Sequence, residues 1–300
     1  MLRSAVLRSA VIVLAAVLAA VLAGHRLLPE LGGFTPVLES VLPWIGLGVP
    51  ILLAAALASR SVPAIVAALV PGVVWLLLFG PGLLRSPPGG PSDLSVATLN
   101  VGVANDLSGT AVRNLSEGRD LVALQELTPG GPAAKELNDR YPHHFQVGTV
   151  GLWSRYPLTG ARKVDVGLGW ARALRAIVES PKGEVTVYVM HLASARPGET
   201  EFRDETLDAA GELISADDSD RLLLLGDLNT ATDDRHREDL VPPLLDAHQE
   251  AGQGFGFTWP ARFPITRPDH ILYRGMTATT ATVEEAAGSD HRAATATLRF

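Results

Sequence analysis

The chain has 300 residues, 47% of them hydrophobic, with a formal net charge of −7 and no cysteine. A mean hydropathy of +0.21 is high for a wholly soluble protein. The lack of cysteine rules out a thiol nucleophile and leaves the redox compartment open.

The apolar excess sits at the start. Residues 1–90 hold five Arg (Arg3, Arg8, Arg26, Arg60, Arg85) and two acids (Glu30, Glu39). The 20 Lys+Arg and 30 Asp+Glu that follow make the rest an acidic domain of about −10. Three apolar segments fill the first part, over residues 9–24 ("SAVIVLAAVLAAVLAG"), 40–59 ("SVLPWIGLGVPILLAAALAS") and 61–80 ("SVPAIVAALVPGVVWLLLFG"). A bilayer core takes about 20 apolar residues of helix, so each reads as a transmembrane helix. The first is short, and a signal-peptide core behind Arg3 and Arg8 is its alternative reading. Two spans following closely favour a retained span. Pro50 and Pro71 fall inside spans, where neighbouring helices compensate a lost hydrogen bond. Arg3, Arg8 and Arg60 lie on one side of the spans, and Arg26 and Arg85 on the other. The bias places the N-terminus in the cytoplasm and, after three spans, the acidic domain outside. The expected division is therefore a membrane region over 1–84, a Pro/Gly linker over 85–93 ("RSPPGGPSD") and a domain over 94–300.

Within that domain, alternation and β-formers predict strands over 94–102, 120–127 and 150–158. A hairpin is predicted over 173–194, turned by Pro181, Lys182 and Gly183. A helix is predicted over 199–216 and a strand over 221–229. A second helix is predicted over 237–252, with Pro242 and Pro243 early in it. Strands over 267–275 and 293–300 close the chain. Such interleaving predicts an α/β sandwich, two mixed sheets packed together and covered by helices.

Polar residues recur where apolar strands stop. Asn100 ends "SVATLN", Glu126 ends "LVALQE" and His191 ends "VTVYVMH". Asp227 and Asn229 end "LLLLGDLN", and their i, i+2 spacing puts both on one face of a strand. Asp269 and His270 interrupt "RPDHIL", and Asp290 and His291 precede the last strand. Singly, each has a plainer reading: a turn residue, a solvated Glu, a hydrogen-bonded His. The ordered set is not explained that way.

In that order, "TLNV", "QEL", "SRYPL", "HLAS", "GDLN", "RPDHIL" and "GSDHRA" resemble the endonuclease/exonuclease/phosphatase superfamily. These are the DNase I-like metal-dependent phosphodiesterases and phosphatases. The resemblance spans about residues 94–300 and implies the DNase I-like two-sheet fold. "FTWPARFP" and the three-span preamble resemble the actinobacterial membrane branch that includes teicoplanin-resistance proteins, which implies glycopeptide resistance. Pro268 departs from the pattern, where the family has an aliphatic residue before the Asp.

The resemblance implies roles. Glu126 is the clearest Mg²⁺ ligand (Mn²⁺ as a substitute), with Asn100 beside it and Asp290 binding directly or through water. Asp227 orients or deprotonates the attacking water. Asn229 holds that water or a phosphoryl oxygen. His291 donates to the phosphate, and Asp269 fixes its ring and favours its charge. His191 is a second phosphate-side donor. Arg155 and Tyr156 are assigned to the site wall.

Three readings stand: a membrane-anchored extracytoplasmic phosphohydrolase of a lipid-linked or envelope phosphate, a nuclease on the same fold, and an inactive membrane scaffold. The implied partners are the bilayer and a phosphate-containing substrate, with no protein partner. Nucleic acid is less favoured, because the domain is net negative and its only lysines are Lys135, Lys163 and Lys182. The filled catalytic positions count against the scaffold.

Overall fold

The computed structural model describes residues 2–30, 32–196 and 200–300. Its first part is helical: α1 (Leu2–Gly24), α2 (Phe34–Ser40), α3 (Leu42–Ile45), α4 (Gly48–Ser59) and α5 (Val62–Leu84). Three stretches are long and apolar enough to cross a membrane: Ser4–Leu27, Leu42–Ser59 and Val62–Leu84. Helices α1, α4 and α5 meet along a seam of Val11, Ala15, Leu52, Ala56, Ala64 and Ala68. Four of these six are alanines, which lets helix backbones approach closely. Leu14, Val17, Val66 and Leu77 point away from the seam and are exposed. Such unburied apolar surface suits lipid.

The expected spans shift at their ends. Helix α1 starts before residue 9, and α5 runs on through Pro81 to Leu84. Pro50 needs no compensation from a neighbour. It lies in the first turn of α4, whose N–H groups have no intrahelical partner in any case.

The second part contains β1 (Leu94–Asn100), α6 (Ser108–Leu115), β2 (Leu121–Gln125), α7 (Pro132–Arg140), β3 (His143–Val147), β4 (Val150–Ser154) and β5 (Leu158–Lys163). It continues with β6 (Ala173–Ser180), β7 (Gly183–His191), α8 (Glu201–Ser215), β8 (Leu222–Asp227), β9 (Leu245–Asp246), α9 (Ala247–Ala251), β10 (Asp269–Arg274), β11 (Thr277–Glu284) and β12 (Ala293–Arg299). The strands form two six-stranded sheets, ordered β11-β12-β1-β2-β4-β3 and β5-β6-β7-β8-β10-β9. Packed face to face under helices, they are the expected α/β sandwich.

The leucine run shows how sequence sets this packing. Leu222 to Leu225 are all fully buried. Alternate side chains leave opposite faces of a strand, so Leu223 and Leu225 join the core between the sheets. Leu222 and Leu224 join the core under α8. Each fully buried leucine contributes about 1.5–3 kcal/mol. A strand loaded on both faces is well anchored for what it carries at its end.

Two expected elements are replaced. The strand over 150–158 is two strands in different sheets, because Tyr156 and Pro157 turn the chain between β4 and β5. The helix over 237–252 is a 3₁₀ turn (Arg235–Asp239), a turn at Pro242 and Pro243, then β9 and the short α9. Two prolines in succession remove two helical N–H donors. Asp246 restarts the helix as N-cap, accepting from the N–H groups of His248 and Gln249. Glu199, where the helix over 199–216 was expected to begin, lies outside the described residues.

The topology gathers strand ends. Strands β1 and β2 are parallel, as are β7 and β8, so each pair stops at one edge. Strands β12 and β10 run antiparallel to β1 and β8 and therefore begin there. Register aligns His191 with Asp227, and Asp227 with Asp269.

Candidate active site

At this edge the backbone is shaped around the side chains. A Cβ on Gly226 would lie 1.9 Å from the Met190 carbonyl oxygen, so only glycine lets β8 lie that close to β7 before Asp227. Glu126 and Asn229 adopt left-handed φ values of 56° and 49°. Such conformations cost non-glycine residues about 1–3 kcal/mol and persist where the surroundings fix them. They turn the chain sharply just past β2 and β8.

Hydrogen bonds close the seam between the sheets. Asn100 Nδ2 donates to Asp227 Oδ2 at 2.9 Å, and Asn100 Oδ1 accepts from the Gly102 N–H at 3.1 Å. Asp227 Oδ1 accepts from the Asn229 N–H at 3.0 Å, while Asn229 Nδ2 donates to the Leu192 carbonyl. His291 Nδ1 donates to Asp269 Oδ2 at 2.8 Å, and Thr258 Oγ1 donates to the same oxygen at 2.6 Å. Glu126 Oε2 accepts from the Val103 N–H. His191 Nε2 stands 3.7 Å from Asp227 Oδ2 and 3.8 Å from Glu126 Oε1, too far for hydrogen bonds. His270, expected beside Asp269, turns away to Asp246 and the Thr230 carbonyl.

The two imidazoles are driven apart electrostatically. Burial pushes His191 down to about 4, against the pull of Asp227. Burial would also lower His291, but the charge and hydrogen bond of Asp269, with Asp227 and Asp290, push it up to about 9. At neutral pH His191 is neutral and His291 is charged. Burial, reinforced by Asp269, pushes the Asp227 carboxyl up.

These groups line a cleft of about 460 Å³. Glu126, His191, Asp227, Asn229, Asp290 and His291 form its polar side. Pro36, Val37 and Val41, from the segment between the first two spans, form an opposing apolar side.

Over residues 97–291 the chain matches the endonuclease/exonuclease/phosphatase family. The chain belongs to that family. Its members are phosphoesterases and nucleases, so hydrolysis of phosphate esters is its class of chemistry. No curated protein matches the chain. Among solved structures it is similar to D. rerio TDP2 complexed with a single-strand DNA product, with 18% identity, a TM-score of 0.59 and coverage of 69% of this chain and 99% of that one. It is also similar to an endonuclease/exonuclease/phosphatase of Beutenbergia cavernae (18% identity, TM-score 0.54, coverage 70% and 72%). A third is the mannosyl-6-phosphatase of Bacteroides thetaiotaomicron (16% identity, TM-score 0.57, coverage 69% and 100%). At these identities the likeness is one of fold.

Members of this family are typically divalent-metal dependent, and the donor chemistry here fits a hard cation. Glu126 offers oxygens at the polar side and Asp290 is exposed at the cleft, with Trp259 Nε1 3.4 Å from its Oδ2, while Asn100 is buried outside the lining with its Oδ1 accepting from the Gly102 N–H. One atom each of Asp227, Asp269 and His291 also lie within 4.8 Å of one another. That trio already holds the charged His291 against two carboxylates, which is a proton-handling arrangement more than a cation site. Two buried atoms at the seam, Asp269 Oδ1 and His191 Nδ1, have no hydrogen-bond partner among the described residues.

One assignment is corrected. Arg155 and Tyr156 do not wall the site. Both approach Asp120, at the start of β2 and so at the opposite edge of the sheet from Glu126. The sequence reading also missed four features. Thr258 holds Asp269, and Trp259 lines the cleft. Arg172 feels the charges of Asp227 and Glu126 and lies 5.0 Å from the Trp170 ring centroid. Helix α2 closes one side. "FTWPARFP" carried the first two unread, and nothing in the sequence pattern marked the others.

Proposed function

We propose that this protein is a membrane-anchored, divalent-metal-dependent phosphohydrolase whose cleft faces outside the cytoplasm and acts on a lipid-linked or envelope phosphate. The observation that carries the reading is the two-sided cleft. Proton-handling residues line one side, and the segment between the first two spans lines the other.

Hydrolysis needs an in-line water, stabilised phosphoryl oxygens and a leaving oxygen that can depart. Asp227 takes the water proton as oxygen attacks phosphorus. Its raised carboxyl makes it a stronger base than a free carboxylate. Asn100 and the Asn229 N–H hold that carboxylate in place. The charged His291, oriented by Asp269, donates to a phosphoryl oxygen. His191, kept neutral, donates from whichever nitrogen carries its proton. Asn229 orients the water. The ester P–O bond breaks, and the leaving oxygen gains a proton from solvent in the open cleft. Glu126, Asn100 and Asp290 would hold Mg²⁺ or Mn²⁺. When bound, such a cation supplies charge stabilisation to the phosphoryl and leaving oxygens.

Duplex DNA fits poorly on a surface of about −10, because phosphate contacts normally need Lys and Arg. The test is kcat/KM of the full chain in detergent micelles at one salt concentration. The substrates are a polyprenyl phosphate or pyrophosphate, a phospholipid and a DNA duplex. The lipid phosphate is expected to lead. DNA ahead by tenfold or more would replace this reading with the nuclease.

A further inference from the structure

Beside the catalytic cleft lies a second cavity of about 400 Å³, among α3, α4 and α5. Its walls include Pro43, Trp44, Leu47, Trp75, Leu76 and Phe255, and no charged side chain lines it. The indole donors are already engaged: Trp44 Nε1 donates to the Ile265 carbonyl at 2.9 Å, and Trp75 Nε1 donates to the Pro43 carbonyl at 2.8 Å. The walls therefore offer only carbon. The volume lies within the range of about 300–1,000 Å³ usual for small-molecule sites.

The two cavities have no lining residue in common but lie against neighbouring residues of one segment, 41–44. Val41 lines the catalytic cleft, and Pro43 and Trp44 line the apolar one. Ile265 lines the cleft, and its carbonyl receives the Trp44 bond. The Trp44 ring lies 5.9 Å from that of Phe257, and Phe257 stacks on Phe255 at 5.0 Å, so an aromatic row ties the membrane segment to the catalytic domain. On its outer side, Leu47, in the turn that caps α4, and Leu76, on α5, are each 59% exposed.

This segment is latched. Glu39 of α2 is fully buried and accepts from the Arg235 Nε at 2.9 Å and the Arg235 N–H at 3.1 Å. Arg235 also donates to the carbonyls of His25 and Leu28. Burial alone would raise the Glu39 carboxyl, but its bonds from His25 and Arg235 hold it below its ordinary value. A buried carboxylate is tolerated only when paired in this way. The pairing fixes α2 against the cleft.

We propose that the apolar cavity binds the hydrocarbon chain of a single-chain lipid phosphate whose phosphate sits in the catalytic cleft. This rests on the phosphohydrolase reading of the cleft and names the substrate class. The chain enters from the bilayer past Leu47 and Leu76. The phosphate meets His291, His191 and Asn229, and the first carbons lie along Val37 and Val41.

Two measurements test it on the full chain in detergent micelles. The first is quenching of Trp fluorescence by a long-chain alkyl phosphate brominated on its chain. Half-maximal quenching is expected at a concentration at least tenfold lower than for a brominated phosphatidylcholine, and its amplitude is expected to fall sharply in the Trp44→Phe/Trp75→Phe variant, which keeps Trp259 at the cleft. Equal quenching by both lipids would mean that bulk lipid fills the cavity and would overturn the proposal, as would an undiminished amplitude in the variant. The second is the ratio of kcat/KM for a long-chain alkyl phosphate to that for a short-chain one. Leu76→Trp, which fills the cavity, is expected to lower the ratio at least tenfold. Val66→Trp, on the exposed face outside the cavity, is expected to leave it within twofold. An unchanged ratio in Leu76→Trp, with both substrates hydrolysed, overturns the chain site and spares the phosphohydrolase. If neither substrate is hydrolysed, the phosphohydrolase reading fails, and quenching alone decides whether the cavity takes the chain.

Discussion

The two sheets bring different chemistry to their common edge. The sheet of β1 and β2 contributes Asn100 and Glu126, and Asp290 stands just before its strand β12. Glu126 is 30% exposed in its side chain, and Asp290 is exposed. The sheet of β7, β8 and β10 contributes His191, Asp227 and Asp269, all buried. Oxygen donors open to water suit a hydrated cation. Carboxylates shielded from water have shifted proton affinities. Under the proposed function the seam sets the open candidate metal ligands Glu126 and Asp290 against the buried carboxylates Asp227 and Asp269, and the Asn100–Asp227 and His291–Asp269 bonds join the two sheets.

A carboxylate of the second sheet that does no chemistry gives the largest expected effect. Asp246 is buried and accepts from Arg237, Arg267 and His270. Burial would raise its carboxyl, but Arg267 and Arg237 hold it well below the ordinary value. Asp246→Asn leaves two guanidinium groups without their anion, and about 3–5 kcal/mol of stability should go. The sign of its pH dependence follows. A folded-state pKa below the unfolded value of about 3.9 contributes stability above that pH. The contribution is lost as pH falls below it towards the folded value. Denaturant midpoints from pH 7 down to pH 2 should therefore fall more steeply below pH 4 in the wild type than in Asp246→Asn. Parallel curves would show that Asp246 is not an anchoring charge.

Asp227→Asn should do the opposite, sparing the fold and removing the reaction. The amide keeps the carboxylate's shape and loses its basicity. About 2.7–4 kcal/mol of transition-state stabilisation should be lost, the scale seen when one electrostatic group is removed from a site. Thermal melts alongside kcat separate the two sheet-two carboxylates. A variant with near-normal kcat would take the proton-handling role away from this sheet.

Glu126→Gln probes the metal side, with a smaller effect. It keeps shape and removes one charge. The Mg²⁺ or Mn²⁺ concentration for half-maximal activity should rise about tenfold, equivalent to about 1.4 kcal/mol. Chelation should abolish wild-type turnover, and either cation should restore it. Turnover that survives exhaustive metal removal would merge the two sides into one acid–base site.

The strand ends could be read in the sequence because each apolar run stops abruptly on a polar residue; the expected shared strand face of Asp227 and Asn229 does not form, because β8 ends at Asp227 and Asn229 turns with φ 49°, its N–H donating to Asp227 Oδ1. The two-sheet sandwich and the three apolar helices were legible for similar reasons. What was not legible depends on contacts between distant segments. Nothing in "GGFTPVLES" marks it as part of a site, and its place against the cleft appears only through the pairing of Glu39 with Arg235, 196 residues away. Thr258 reaches Asp269 across a turn that no periodicity marks. Tyr156 and Pro157 carry the chain from one sheet to the other within a single apolar-looking run. The stretch over 237–252 has helical composition overall, and only Pro242, Pro243 and the capping Asp246 divide it.

The final prediction concerns which way the seam faces and carries no energy. Under the proposed topology, which rests on the arginine bias and three spans, the edge that holds both sheets' residues would face outside the cytoplasm. Ser92 is exposed in the stretch just before β1, and the native chain has no cysteine to compete for label. A full chain carrying Ser92→Cys should react on intact cells with a membrane-impermeant thiol reagent. A second position, Arg60→Cys in the tight turn between α4 and α5, should react only after permeabilisation, because that turn lies on the opposite side of the bundle from α2 and the linker. Both residues are exposed, so failure to label reports sidedness and not burial. If the pattern reverses, the cleft faces the cytoplasm. The metal side and the proton-handling side would keep their chemistry, but their lipid phosphate would have to be one presented on the inner leaflet.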